Sequence, residues 1–385
     1  MAGVFAGTAG IGLAQNATLY ALNGGSASIS AFSIAADGGL SPITGSPFSS
    51  TGTSPSGMVF DPAGRFAYVT NAGSNHVAAF RVSQSGALSP IGGSPFATGA
   101  GPLQDAIDPT GRFLYTACNG SNSISAFTID SSTGVLTPVS GSPFTATLGI
   151  GAWDLAIDAT GRFLYVANSF GNGISGFAID PSTGGLTPLA GSPMGSGFFL
   201  PIRISGNLLF TAAQSLLFSF TVGPGGSLTA APGSPYAVGA LAEGLAVDPA
   251  GRFVYVTGIV SNNVSGFTIA ANGALTAVPG SPFAAGSGAF GTTTDPSGRF
   301  LYVGNVFANN ISGYSIAQSG PSAGALTPLA AQPFASGQYP SFLTAHSLPV
   351  PPVPVLGEWA WAALAVLLVA AARAALHARR GSTSS

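Results

Sequence analysis

The segment Asp108-Pro109-Thr110-Gly111-Arg112-Phe113-Leu114-Tyr115 limits the fold more than any other, because near-copies recur along most of the 385-residue chain. They stand at Asp61 to Phe66, Asp158 to Phe163, Asp248 to Phe253 and Asp295 to Phe300. Asp-Pro opens a turn and the following Gly supplies a positive φ, so each copy predicts a tight hairpin between two strands. The step from Gly64 to Gly111 is 47 residues, from Gly111 to Gly161 it is 50, and from Gly251 to Gly298 it is 47. Two degenerate copies, Asn16 to Tyr20 and Ser205 to Phe210, bring the series to seven. A second marker agrees: Gly-Ser-Pro-Phe or a relative closes each unit at Gly45, Gly93, Gly141, Gly191, Gly233 and Gly280, with Ala331-Gln332-Pro333-Phe334 last. Units of this size carrying several short strands predict a propeller rather than a helical solenoid.

One unit reads as four strands: Asp154 to Asp158, Arg162 to Asn168, Ile174 to Ile179 and Leu186 to Leu189. The second and third are apolar or small on both faces, which suits a sheet packed between two others. Pro90, Pro138, Pro188 and Pro328 fall on the last strand, an outer edge that can spare a backbone donor. The fold class is therefore all-β: a seven-bladed β-propeller of four-stranded blades over residues 1–346, followed by a C-terminal hydrophobic helix. Tyr339 to Ala345 resembles the start of a further unit and is expected to pair with the N-terminal unit and close the ring.

The recurrent Asp-Pro-x-Gly-Arg-Phe-x-Tyr-Val-x-Asn, Ile-Ser-x-Phe-x-Ile-Asp and Gly-x-Leu-Thr-Pro-x-x-Gly-Ser-Pro-Phe resemble the lactonase-type, or YVTN-repeat, seven-bladed propellers. The resemblance covers nearly all of residues 1–346. It implies the fold, and it makes a 6-phosphogluconolactonase-like hydrolase one of two functional expectations.

A Pro-rich linker over 347–353 precedes residues 354–385. There Pro354, Leu356, Glu358 and Trp359 precede an apolar run from Ala360 to Ala372, then Arg373, His377, Arg379 and Arg380. The order resembles the IPTL-type C-terminal sorting signals, with Val355 and Gly357 departing from the pattern. That resemblance implies an exosortase-like sorting protease as partner. The run is near the lower length limit of a membrane-spanning helix, and the Arg residues after it predict a cytoplasmic tail with the propeller outside, at the cell envelope, bacterial surface or extracellular. Residues 1–13 are apolar and Gly-rich without Lys or Arg, so no secretory n-region is legible there.

Only 6% of residues are charged, and all 10 basic residues are Arg. With no basic patch, nucleic acid is not an expected partner. A single cysteine, Cys118, excludes an internal disulfide and reads as a buried small residue. No phosphate-cradling loop, nucleophile elbow or His-Glu-x-x-His helix is present, and neither cofactor nor metal is expected. The five repeat Arg residues each follow an Asp by four positions, so a local ion pair or turn hydrogen bond accounts for them.

The fifth unit breaks the rule. Arg203 stands at the Asp position when the hairpin Gly is the ruler, Asn207 stands at the Arg position, and the loop between second and third strands is short. Eight residues before each hairpin Gly, at the mouth of the innermost strands, lie Ser56, Leu103, Trp153, Phe198, Glu243 and Phe290, with Asp105 and Asp154 close by. Aromatic rings with a few carboxylates suit a glycan or peptide ligand. The ligand-binding candidates are Asp105, Trp153, Asp154, Phe198, Arg203, Glu243 and Phe290. For catalysis the candidates are Glu243, the only Glu before residue 358, with Asp154 or His346. The scarcity of His, Glu and unengaged Arg favours a non-enzymatic adhesion, matrix or binding scaffold over hydrolysis of a sugar lactone.

Overall fold

In the computed structural model, which describes residues 17–348 apart from 146–149, 172, 196 and 198, the repeats form seven antiparallel sheets. Six of the sheets run in chain order from an innermost strand outward, as Pro102–Ile107, Phe113–Cys118, Ser123–Ile129 and Leu136–Pro138 do in blade 3. The ring closes as the sequence predicts. Pro340–Ser347 is the innermost strand of blade 1 and pairs with Ala17–Asn23, placing Leu19 opposite Ala345 and Leu22 opposite Phe342. Residues 354–385, with Pro354, Leu356, Glu358, Trp359 and the expected helix, lie outside the described residues, as do residues 1–13.

The apolar core is divided into seven slabs, one between each pair of neighbouring blades. Ala117 and Ile124 of blade 3 pack with Leu164 and Val166 of blade 4, for example, and Leu19 and Ala21 of blade 1 with Tyr302 and Ile311 of blade 7. The second strands are buried along their whole length, as in Phe163–Asn168. Cys118 is fully buried beside Ser125. Because apolar burial is spread over radial slabs, the seven innermost strands are left to line a channel.

The repeat residues have separate tasks. Oδ1 of Asp108 accepts the backbone N–H groups of Arg112 (2.8 Å) and Phe113 (2.7 Å), and Gly111 closes the turn at φ +74°. The local ion pair expected for Arg forms at Arg252–Asp248 (2.9 Å) and, more loosely, at Arg65–Asp61 (3.6 Å). Arg65 and Arg252, and likewise Arg112 and Arg162, lay their guanidinium groups over the next Phe ring and reach the neighbouring blade, the latter two donating to Pro181 O (2.8 Å) and Pro224 O (3.2 Å). Tyr115 and Tyr165 donate to Gly184 O and Gly226 O of the next blade, both at 2.8 Å. In blade 5, Phe210 has no hydroxyl to offer, and Ser219 Oγ makes the equivalent bond to Gly273 O (2.8 Å).

Candidate active site

A β-bulge at the start of the innermost strands shapes the channel mouth. The pairing register slips at Pro55/Gly57, Pro102/Gln104, Ala152/Asp154, Ala242/Gly244 and Ala289/Thr292, leaving Ser56, Leu103, Trp153, Glu243 and Phe290 in the unpaired positions. An unpaired bulge residue is turned away from the regular pleat. All five line one upper chamber of about 310 Å³, together with Asp154, Pro201, Arg203 and Tyr339. A lower chamber of about 400 Å³ continues toward the hairpin end and is lined by Asp105, Asp154, Arg203 and Thr292 among others. Asp154 and Arg203 border both chambers, at the waist between them.

The waist is built by blade 5. Between Ile157 and its partner Leu164 in blade 4 the hairpin has six residues, 158 to 163; between Ile204 and Leu209 it has four, 205 to 208. Those two missing residues move Arg203 out of the turn. It occupies the place held by Ala156, opposite Phe210, rather than the Asp position that the Gly ruler assigns. From there Arg203 Nη1 donates to Asp154 Oδ2 at 2.7 Å and to Ile202 O at 2.6 Å. Asp154 also accepts the Ile202 N–H at 3.1 Å.

Asp154 holds the position taken by Gly57 and Gly244 in blades 2 and 6. At those glycines the bulge of the next blade comes close: an added Cβ would lie 2.8 Å from Leu103 O or 2.1 Å from Phe290 O. Blade 5 approaches blade 4 through a carboxylate instead. The loop between its second and third strands is two residues, Gln214 and Ser215, against four from Ile259 to Asn262 in blade 6.

Glu243 is half-buried in the upper chamber, and its Oε2 has no hydrogen-bond partner. Burial pushes its carboxyl up to about 7. The rings of Phe290 and Tyr339 stand 6.4 Å apart on the neighbouring wall. Asp105 lies lower. Both of its oxygens are shut off from solvent without a partner, and burial first, then the nearby Asp154, holds its carboxyl well above the usual range.

His346 is not at this site. It lies toward the hairpin end of its strand, stacked on Phe60 with centroids 4.3 Å apart and close to Gly64. Burial lowers its pKa, with Asp61 acting in the opposite sense. Phe198 lies outside the described residues. Pro201, Tyr339 and Gln104 join the mouth without having been singled out in the sequence. Among the described residues no three His, Cys, Asp or Glu side chains gather as a metal site.

The family model for the lactonase, 7-bladed β-propeller, matches residues 3–103 and 96–199. A protein provisionally assigned as a 6-phosphogluconolactonase in Bacteroides fragilis superposes with a TM-score of 0.73 at 19% identity, covering 87% of this chain and 99% of that one. The periplasmic gluconolactonase of Pseudomonas aeruginosa gives 0.69 at 19% identity, covering 86% and 99%. No curated protein matches the sequence. The family match overturns the expectation of a non-enzymatic adhesion or matrix scaffold. That expectation counted His, Glu and unengaged Arg over the whole chain, whereas the fold gathers Asp154, Arg203 and Glu243 from three blades around one chamber. The expected location at the cell envelope is also withdrawn, the similar structures being described as a 6-phosphogluconolactonase and a periplasmic gluconolactonase. The expected spanning helix lies outside the described residues, among which no helix is long and apolar enough to cross a membrane.

Proposed function

We propose, starting from the fact that the chain belongs to the lactonase family of seven-bladed β-propellers, that it hydrolyses a sugar lactone in the upper chamber with Glu243 as general base. The observation that carries this reading is the state of Glu243: one carboxylate lining an aromatic-walled chamber, desolvated, with its Oε2 buried and unpartnered. A base whose pKa sits near 7 is half-ionised at neutral pH and still basic enough to take a proton from water. The similarity to proteins described as gluconolactonases and 6-phosphogluconolactonases supports the same substrate type.

In the reaction, water oxygen attacks the lactone carbonyl carbon while Glu243 takes its proton. The ring C–O bond then breaks, the ring oxygen leaves as a hydroxyl carrying that proton, and the product is the open-chain hydroxy acid. Arg203 spends Nη1 on Asp154 and Ile202 O, and its Nε and Nη2 have no partner among the described residues. Those groups are the donors available to the carbonyl oxygen as negative charge develops on it. Trp153 and Phe290 offer flat faces to the sugar ring.

The test is proton release from glucono-1,5-lactone, corrected for spontaneous opening, with wild type and Glu243→Gln. Wild type is expected to turn over, and the variant to lose roughly 10²–10⁴-fold in kcat with an unchanged or higher Tm. A wild-type rate equal to buffer, or full activity in Glu243→Gln, overturns the assignment.

A further inference from the structure

The distribution of charge narrows the substrate further. We infer, resting on the lactonase reading above, that the lactone taken by this protein carries no phosphate or other ionised group.

The first observation is that the two ends of the propeller differ in composition. The loops entering the innermost strands and those joining second to third strands meet at the mouth, as in the backbone bonds Gly73 to Thr53, Asn119 to Gly101 and Val306 to Gly288. In all seven units these loops contain no Asp, Glu, Lys or Arg. They expose uncharged polar residues such as Gln214, Asn262 and Asn309 together with large apolar ones: Phe170, Val260 and Phe307 are each more than 60% exposed, and Ile150 and Leu241 about half. Among the described residues, an anion approaching this end meets no Lys or Arg on the rim.

The second observation lies inside. Among the described residues the upper chamber has one cation, Arg203, and that cation is already engaged by Asp154 at 2.7 Å. Glu243 adds a further acid to the same wall, and Asp105 lies just below. Phosphate is held by several charge-assisted hydrogen bonds, and a dianion seated beside carboxylates without them loses its hydration for nothing in return. An uncharged sugar lactone meets no such penalty. Its hydroxyl groups find acceptors in the carboxylates, and its ring packs on Trp153 or Phe290.

The experiment compares kcat/KM of the full chain for glucono-1,5-lactone and its 6-phosphate. In parallel, calorimetry measures binding of the non-hydrolysable gluconolactam and its 6-phosphate. The uncharged compound is expected to win by at least about 100-fold in both. Equal or better use of the phosphorylated lactone, or equal or tighter binding of the phosphorylated lactam, overturns the inference. If neither lactone is opened, the catalytic reading fails while the lactam pair still decides the question of charge. Asp154→Asn, checked for an unchanged fold by its melting curve, releases Arg203 and is expected to narrow the preference about tenfold. A preference that stays the same in that variant shows the discrimination is not electrostatic and also overturns the inference.

Discussion

The two ends of the channel are made by the same seven strands, yet they follow opposite rules. At the hairpin end each Asp is tied to its own turn, Arg112 and Arg162 clasp the next blade, and one solution is repeated in five of the seven blades. At the mouth the positions left unpaired by the bulges are filled by Ser56, Leu103, Trp153, Glu243 and Phe290, five different side chains. The difference teaches where the fold is specified. Repetition marks residues whose partners are backbone groups present in every unit, and variation marks residues facing a space that no unit owns alone.

If that division is real, a change at the hairpin end moves stability and leaves turnover alone. The largest such effect is expected for Asp108→Ala. It strips the acceptor from two backbone N–H groups in a buried turn, costing roughly 2–4 kcal/mol, and lowers Tm by several degrees with kcat/KM at 25 °C intact. Activity lost from a folded variant would break the comparison.

Titration of the mouth gives the next largest effect. The Glu243 carboxyl is raised from an ordinary 4.5 to about 7, so the native state holds its proton more tightly than the unfolded chain does. Its contribution to stability is therefore greatest below the unfolded value and declines as pH rises from about 4.5 to about 7, with no further loss above that. Catalysis needs the ionised form and runs the other way, rising through the same window to a plateau. Melting curves from pH 4 to 8 should show Glu243→Gln gaining on wild type up to about pH 7. Parallel curves would remove Glu243 as the titrating group.

The smallest effect is expected for Arg162→Ala. The side chain is exposed and makes one ring contact at 4.8 Å, one bond to Thr160 Oγ1 of its own turn at 3.2 Å and one bond to the next blade at 3.2 Å. Its loss should cost about 0.5–1 kcal/mol and move Tm by about 1–3 °C. A larger drop would mean that the inter-blade clasps act cooperatively.

The hairpin end was legible from sequence because its interactions are local: Asp108 and Phe113 are five residues apart and recur. The mouth positions were legible too, since a fixed offset from the hairpin Gly marks the bulge wherever the hairpin keeps its length. The same ruler misplaced Arg203, where the hairpin is two residues shorter. Its pairing with Asp154 spans 49 residues and two blades and leaves one trace, an Asp where blades 2 and 6 have Gly. His346 was drawn toward Glu243 only by being titratable. Seven residues of extended strand separate it from Tyr339 at the mouth, a distance of about 20 Å.

Blade 1 takes its innermost strand from the far end of the propeller and its other strands from the beginning. During synthesis Asn23 is made 317 residues before Pro340, a wait of roughly 15–60 s at ordinary translation rates. Throughout that interval Ala17–Asn23 carries a bare backbone edge, the kind of edge to which another chain can add a strand. The order of the gene thus sets a vulnerable period that the finished ring conceals, and moving the break between N- and C-terminus to another blade would move that period with it.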